Sequence, residues 1–157
     1  MSYFEQTYGE IVDIDNLYSI IQRYVINTNH FNFYDFGSGY GTLVINYRNK
    51  FKKCYGIEIN KERHDIASSK NIQSNVLFIN CNFFDITLLD NHVLFINNLC
   101  FGEGTQKRLS MKIINESKKE DLIIVTKKLK LLNKYYLTDY TLLFSWGESE
   151  IYVYKII

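Results

Sequence analysis

The sequence contains no proline in 157 residues. Its turns must therefore be made by glycine, asparagine, aspartate and serine, and any motif built on paired prolines is excluded. Cysteine is scarce. Cys54, Cys81 and Cys100 are odd in number and far apart, and no pair has the spacing of a metal-ligand set. His30, His64 and His92 are equally scattered. The cysteines are read as reduced thiols of an intracellular protein, not as a disulfide framework. No apolar run approaches membrane-spanning length, and Met1-Ser2-Tyr3-Phe4-Glu5 does not resemble a secretory leader, so an intracellular chain without membrane contact is expected. A charge excess is also missing. The formal net charge is +1, which excludes an obvious whole-chain polyanion binder.

Aromatic residues are plentiful, with 13 Tyr and 11 Phe. They share A/T-rich codons with the recurrent Ile, Asn and Lys, so part of the excess is ascribed to base composition and it is given little functional weight. No internal repeat, low-complexity stretch or linker interrupts the chain, and its length suits one domain. We divide it into an amino-terminal motif and helix (1–30), a central core (31–134) and a closing hairpin (135–157).

Ile14, Leu17, Ile20, Ile21, Tyr24 and Val25 recur at helical spacing, predicting a helix within residues 13–29 that Asp13 can cap. Short apolar runs predict strands at 31–36, 54–59, 76–80, 92–97 and 122–126. Helices are predicted at 40–50, 61–70 and 105–117, the last with Leu109, Ile113 and Ile114 on one face. The link 83–91 is too short for a full crossover helix. Residues 140–146 and 151–157, joined by Gly147-Glu148-Ser149, predict an antiparallel hairpin. Alternating strands and helices give an α/β fold with a mostly parallel sheet, closed by that hairpin.

Chemistry concentrates at strand ends. Asp35-Phe36-Gly37-Ser38-Gly39-Tyr40-Gly41-Thr42 leaves a strand and opens a helix. Glycines there let backbone approach a ligand at the carboxyl edge of an open sheet. The spacing is neither that of dinucleotide-binding loops nor that of a phosphate loop. Glu58 ends the next strand, 21 residues beyond Gly37, where a carboxylate can accept both hydrogens of a ribose diol. Loop and carboxylate together suit an adenosyl ligand without pyrophosphate. Asn97-Asn98 leaves the fourth strand beside that position. The residues alone leave two readings open, a plain turn and a site that orients an amine.

These segments resemble, in order along the chain, the histone-lysine methyltransferases named for disruption of telomeric silencing, which lack a SET domain. Tyr8-Gly9-Glu10 is similar to the family's tyrosine-glycine-glutamate entry motif, and Asp35 to Gly41 to its glycine loop. Gly56-Ile57-Glu58 resembles its ribose-binding strand end. Asn97-Asn98-Leu99-Cys100-Phe101-Gly102 resembles its double-asparagine segment, and Ser145-Trp146-Gly147 with Tyr152 its hairpin. Departures are Ile11 for a common threonine, Thr42 for a common glutamine, and Asn82 before Phe83 where an aspartate usually precedes the phenylalanine.

The resemblance implies a Rossmann-like class I methyltransferase with a seven-stranded, mostly parallel sheet and S-adenosyl-L-methionine as cofactor. It implies cofactor contacts from Tyr8, Glu10, Asp35, Gly37, Ser38, Gly39, Gly41, Glu58, Asn82, Phe83 and Asn97, with no metal. Asn97 would orient the methyl group or the amine, and Phe101 and Tyr152 would line a lysine channel. The implied partner is a protein, a histone or nucleosome, which would place the chain on chromatin in the nucleus. The family's helical amino-terminal domain and lysine-rich extension have no counterpart here, so nucleosome binding is expected to be weak. The alternatives are a nucleic-acid methyltransferase, using Lys118, Lys119, Lys127, Lys128, Lys130 and Lys134 as a basic edge, and a non-catalytic cofactor-binding subunit.

Overall fold

The computed structural model describes residues 9–71, 73–132 and 135–157. Seven strands form one sheet: β1 Asn32–Phe36, β2 Lys53–Ile57, β3 Val76–Ile79, β4 His92–Ile96, β5 Leu122–Val125, β6 Tyr135–Phe144 and β7 Gly147–Ile156. Their order is β3-β2-β1-β4-β5-β7-β6. The first five are parallel, and β7 enters antiparallel between β5 and β6. β1, β4 and β5 are buried along their whole length, which explains why they read as continuous apolar runs rather than alternating ones. The chain reverses between β1 and β4, and this switch opens a crevice at the carboxyl ends of the strands.

Among the described residues, four α-helices cover the sheet: α1 Ile14–Gln22, α2 Thr42–Asn46, α3 Lys61–Lys70 and α4 Glu103–Glu116. Leu17 and Ile21 of α1 and Leu43 and Val44 of α2 pack on Phe33, Phe95 and Ile124 of one face. Leu109 and Ile113 of α4 pack on Tyr34, Leu94 and Ile96 of the other. Burying each such side chain contributes about 1.5–3 kcal/mol. The strand reading holds to within a few residues at each end. The β3–β4 link lacks a full helix, as its length predicts, and has only a 3-10 turn at Phe83–Asp85. α4 ties this link down: Lys112 Nζ donates to the Ile86 carbonyl, and Glu116 accepts from Leu88 N at 2.8 Å.

Four local expectations are corrected. α1 stops at Gln22 because Arg23 N and Tyr24 N bond the carbonyls of Ile20 and Ile21, tightening the last turn. Asp13 does not cap it. Its carboxylate instead accepts from Leu143 N of β6 at 2.6 Å. α2 is five residues long because side chains take its carbonyls: Asn46 Nδ2 donates to Thr42 O at 2.7 Å and Arg48 to Ile45 O at 2.7 Å. The hairpin is longer than predicted, and its turn is Ser145-Trp146, with Phe144 paired to Gly147 at positive φ, not Gly147 to Ser149.

Candidate active site at the carboxyl edge of the sheet

The glycine loop leaves β1 and folds over the end of β2: Gly37 N and Ser38 N both donate to Ile57 O, at 2.7 and 3.1 Å. Gly37, Gly39 and Gly41 all have positive φ. At Gly41 the need is double, since a Cβ there would also meet Phe78 at 2.6 Å and Ala67 at 2.9 Å. Gly37 lines the crevice, and open space lies where its Cβ would be. Gly39 lines neither cavity described below. Its N–H donates to Glu58 Oε1 at 2.8 Å.

Glu58 is buried, and its carboxylate organises the loop. Oε2 accepts from Asn60 N at 2.9 Å and faces Arg63 of α3 at 3.3 Å. Asn60 in turn caps α3, accepting from Arg63 N at 2.9 Å. The ion pair with Arg63 has no signature in the glycine-loop motif. The helical position of Arg63, five residues beyond Glu58, is the signal that marks it.

Two adjacent cavities occupy the crevice. The larger, about 320 Å³, is walled by Phe36, Gly37, Ile57, Glu58, Arg63, Asn82, Phe83, Phe84, Asn97, Cys100, Phe101 and Arg108, among others. Phe83 stacks on Phe36 at 4.9 Å and on Phe101 at 5.9 Å between ring centres. Arg108 lies over the Phe84 ring at 4.1 Å. Asn82 accepts from Phe84 N at 3.0 Å and so shapes the turn that presents Phe83. The smaller cavity, about 30 Å³, is lined by Gly9, Glu10, Ile11, Asp35, Gly37, Ser38, Thr42, Asn97 and Phe144, among others. Gly9, Gly37 and Asn97 border both.

Asp35 is 5% exposed, and its carboxyl has no hydrogen-bond partner among the described residues. Burial raises its pKa well above the usual carboxylate range, and the charges of Glu58 and Glu10 add to the rise. A carboxyl in that position favours a cationic ligand group. The larger cavity thus offers apolar rings and the Glu58 carboxylate, and the smaller one an acid whose carboxyl has no partner among the described residues.

The smaller lobe is closed by segments far apart in sequence. Ser145 N donates to Glu10 O at 2.7 Å, and Glu10 N donates to Ser145 Oγ at 3.0 Å. Trp146 lies so close to Gly9 that a Cβ there would meet its ring at 2.6 Å. The entry motif and the hairpin motif are thus in contact. Tyr8, the first residue of that motif, lies outside the described residues.

The channel candidates separate. Phe101 is in the wall of the larger cavity. Tyr152 is on the same sheet face but is not in that wall. Its hydroxyl donates to Glu150 at 2.6 Å. That hydrogen bond, then burial, pushes its pKa up to about 12. The Lys128 ammonium lies 5.5 Å from its ring centre. The supposed basic edge is divided by β5: Lys118 and Lys119 precede the strand, at the end away from the crevice, while Lys127, Lys128 and Lys130 follow it on the site side. Lys134 lies outside the described residues. Among those residues, no group of His, Cys, Asp and Glu is arranged to hold a metal, and no helix is long and apolar enough to cross a membrane.

The parallel sheet with an antiparallel insertion, and a glycine loop facing an acidic strand end, define the Rossmann-like class I methyltransferase fold. Solved structures agree. The N-methyltransferase NodS from Bradyrhizobium japonicum is similar with a TM-score of 0.71 at 5% identity, over 90% of this chain and 94% of that one. An RNA methyltransferase from Salinibacter ruber, in complex with S-adenosyl-L-homocysteine, is similar with a TM-score of 0.63 at 16% identity, over 90% of each chain. The magnesium protoporphyrin IX methyltransferase from Synechocystis, with bound S-adenosylmethionine, reaches 0.65 at 13% identity, over 92% of this chain and 79% of that one. No curated protein sequence matches the chain. The family described as "Histone methylation protein DOT1" matches residues 1–84. The chain belongs to that family.

Proposed function

We propose that the chain transfers a methyl group from S-adenosyl-L-methionine to a lysine amine of a protein, with a histone as the first substrate to test. The observation that carries the reading is the two-lobed cavity, with Glu58 and stacked Phe83 on one side and the unpartnered Asp35 carboxylate on the other. In this reading Glu58 takes the ribose diol through the remaining acceptor capacity of Oε1, Phe83 and Asn82 hold the base, and Asp35 takes the methionine ammonium. The bound cofactor supplies an electrophilic methyl group with a neutral thioether leaving group. The chain's own part is to position, desolvate and orient.

A lysine must lose its proton before it can attack. At pH 7 that costs about 4–5 kcal/mol from an ordinary pKa of about 10.4. Phe101 and Phe83 make the wall beside Asn97 apolar, which disfavours the ammonium and lowers the cost. Tyr152, not in the wall of the larger cavity, has a ring that already attracts the Lys128 ammonium and would serve as a station for an incoming lysine. The family membership supports a histone acceptor and a place on chromatin.

Lys127, Lys128 and Lys130 beside the crevice favour one alternative, a nucleic-acid acceptor, because they offer phosphate contacts on the correct side. Incubation with tritiated cofactor and, separately, core histones, nucleosomes and RNA distinguishes the two, with mass spectrometry locating the methyl group. Label on protein lysine is expected. Label on RNA alone overturns the protein-lysine reading.

A further inference from the structure

Asn97 and Asn98 are neighbours at the end of β4, yet their amides do opposite things. Asn98 is fully buried and fully used: Oδ1 accepts from Thr126 N at 3.0 Å and Lys127 N at 2.9 Å, and Nδ2 donates to Gln106 Oε1 at 2.7 Å and Lys127 O at 3.0 Å. It fastens the loop after β4 to the loop after β5. Asn97 borders both lobes of the site. Its Oδ1 accepts from the Thr126 hydroxyl at 2.7 Å and from Leu99 N at 3.4 Å. A carbonyl oxygen has two lone pairs, and both are taken. Turning the amide over would set its NH2 group against the Leu99 N–H, which can only donate, and would force the Thr126 hydroxyl hydrogen onto Asn98 Oδ1, 3.3 Å away and already taken by two backbone N–H groups. Nδ2 is left without a partner among the described residues.

We propose that Thr126 is a positioning residue that fixes which end of the Asn97 amide serves the site, so that Asn97 offers a hydrogen-bond donor there and not an acceptor. This rests on the reading of the cavity as a cofactor site. A donor at the junction of the lobes complements an oxygen, and the cofactor offers one in its methionine carboxylate. The amine's hydrogens are then not held by this side chain, which departs from the amine-orienting role expected from the sequence. Thr126 itself is 3% exposed and borders neither cavity, and its shorter hydroxyl contact, 2.7 Å against 3.3 Å to Asn98 Oδ1, is to Asn97, the one of the two amides that borders the site.

The test is calorimetric titration of the full chain with S-adenosylmethionine and S-adenosylhomocysteine. Thr126→Val keeps the shape and removes the hydroxyl. It should bind about 3- to 10-fold more weakly, the scale of one neutral hydrogen bond. Thr126→Ser should bind within about twofold of the unaltered chain. In an Asn97→Ala background, Thr126→Val should cost nothing further. Normal binding by a folded Thr126→Val chain, or an equal loss in the Asn97→Ala background, overturns the proposal. Should Thr126→Val fail to fold, Asn97→Asp asks the same question. A carboxylate accepts as well as an amide but donates nothing, so affinity should fall, and retained affinity overturns the proposal. If the unaltered chain binds neither ligand, the cavity reading fails by itself. The Asn97 side-chain amide resonance then decides for Thr126: it should shift in Thr126→Val, and an unmoved resonance refutes the contact.

Discussion

Asp35→Asn should raise the stability of the ligand-free chain and lower its affinity for S-adenosylmethionine, two effects of opposite sign from one buried charge. In the folded chain the carboxyl holds its proton to a higher pH than in the unfolded chain, through burial first and then repulsion from Glu58 and Glu10. Its contribution to stability is therefore fully present below the ordinary carboxyl range. It declines as pH rises from that range through the raised folded value, because only the unfolded chain can ionise freely. Asparagine has nearly the same shape and no charge, so this pH-dependent loss should disappear in the variant. In the complex, the cofactor ammonium would lie against the carboxylate. A charge-assisted hydrogen bond contributes about 1.5–3 kcal/mol. The asparagine carbonyl still accepts, so the lower part of that span applies, a loss of about 10- to 30-fold in Kd. Thermal melts from pH 4 to 8 and calorimetric titration at pH 7.5 read both effects. A variant that is less stable at neutral pH and binds normally would refute the assignment of Asp35 to the ammonium.

Glu58→Ala should weaken both ligand binding and stability, because Arg63 and the N–H groups of Gly39 and Asn60 lose their acceptor. Breaking such a buried pair costs about 3–5 kcal/mol, and denaturant melts of the apo chain measure it. Gly37→Val should stay folded at a cost of about 1–2 kcal/mol for its left-handed backbone, and should bind no cofactor, since its side chain enters the larger cavity; a crystal of the variant with cofactor seated normally contradicts this. Asp13→Ala should lose about 1–2 kcal/mol through the charge-assisted bond to Leu143 N and leave α1 intact, which circular dichroism together with hydrogen exchange at Leu143 checks.

The sheet was legible because its central strands are buried on both faces, so their apolar runs are unbroken. Glu58 and the glycine loop were legible because one strand and one turn fix their spacing. The hairpin's true length was not. Tyr136, Leu137 and Asp139 are exposed on the edge strand β6, and its turn uses Ser145 and Trp146 where a glycine or asparagine pair is the usual signal. Asp13 misled because local capping and a tertiary hydrogen bond compete for one carboxylate, and only the fold shows which wins. Arg63 and Thr126 were missed as site residues because each acts through a neighbour that another element supplies.

The walls of the smaller lobe come from residues 9–11 and from Phe144, held together by hydrogen bonds spanning 135 residues. A chain emerging from the ribosome thus completes the five parallel strands long before it can complete this wall. Contacts so distant in sequence form late in folding. Until the hairpin has been synthesised and docked, the nascent chain has a nearly finished sheet and an open side where the smaller cavity will be. Cofactor capture is in this sense a report on hairpin docking, and any product cut short before Trp146 should be unable to gain stability from the ligand by mass action.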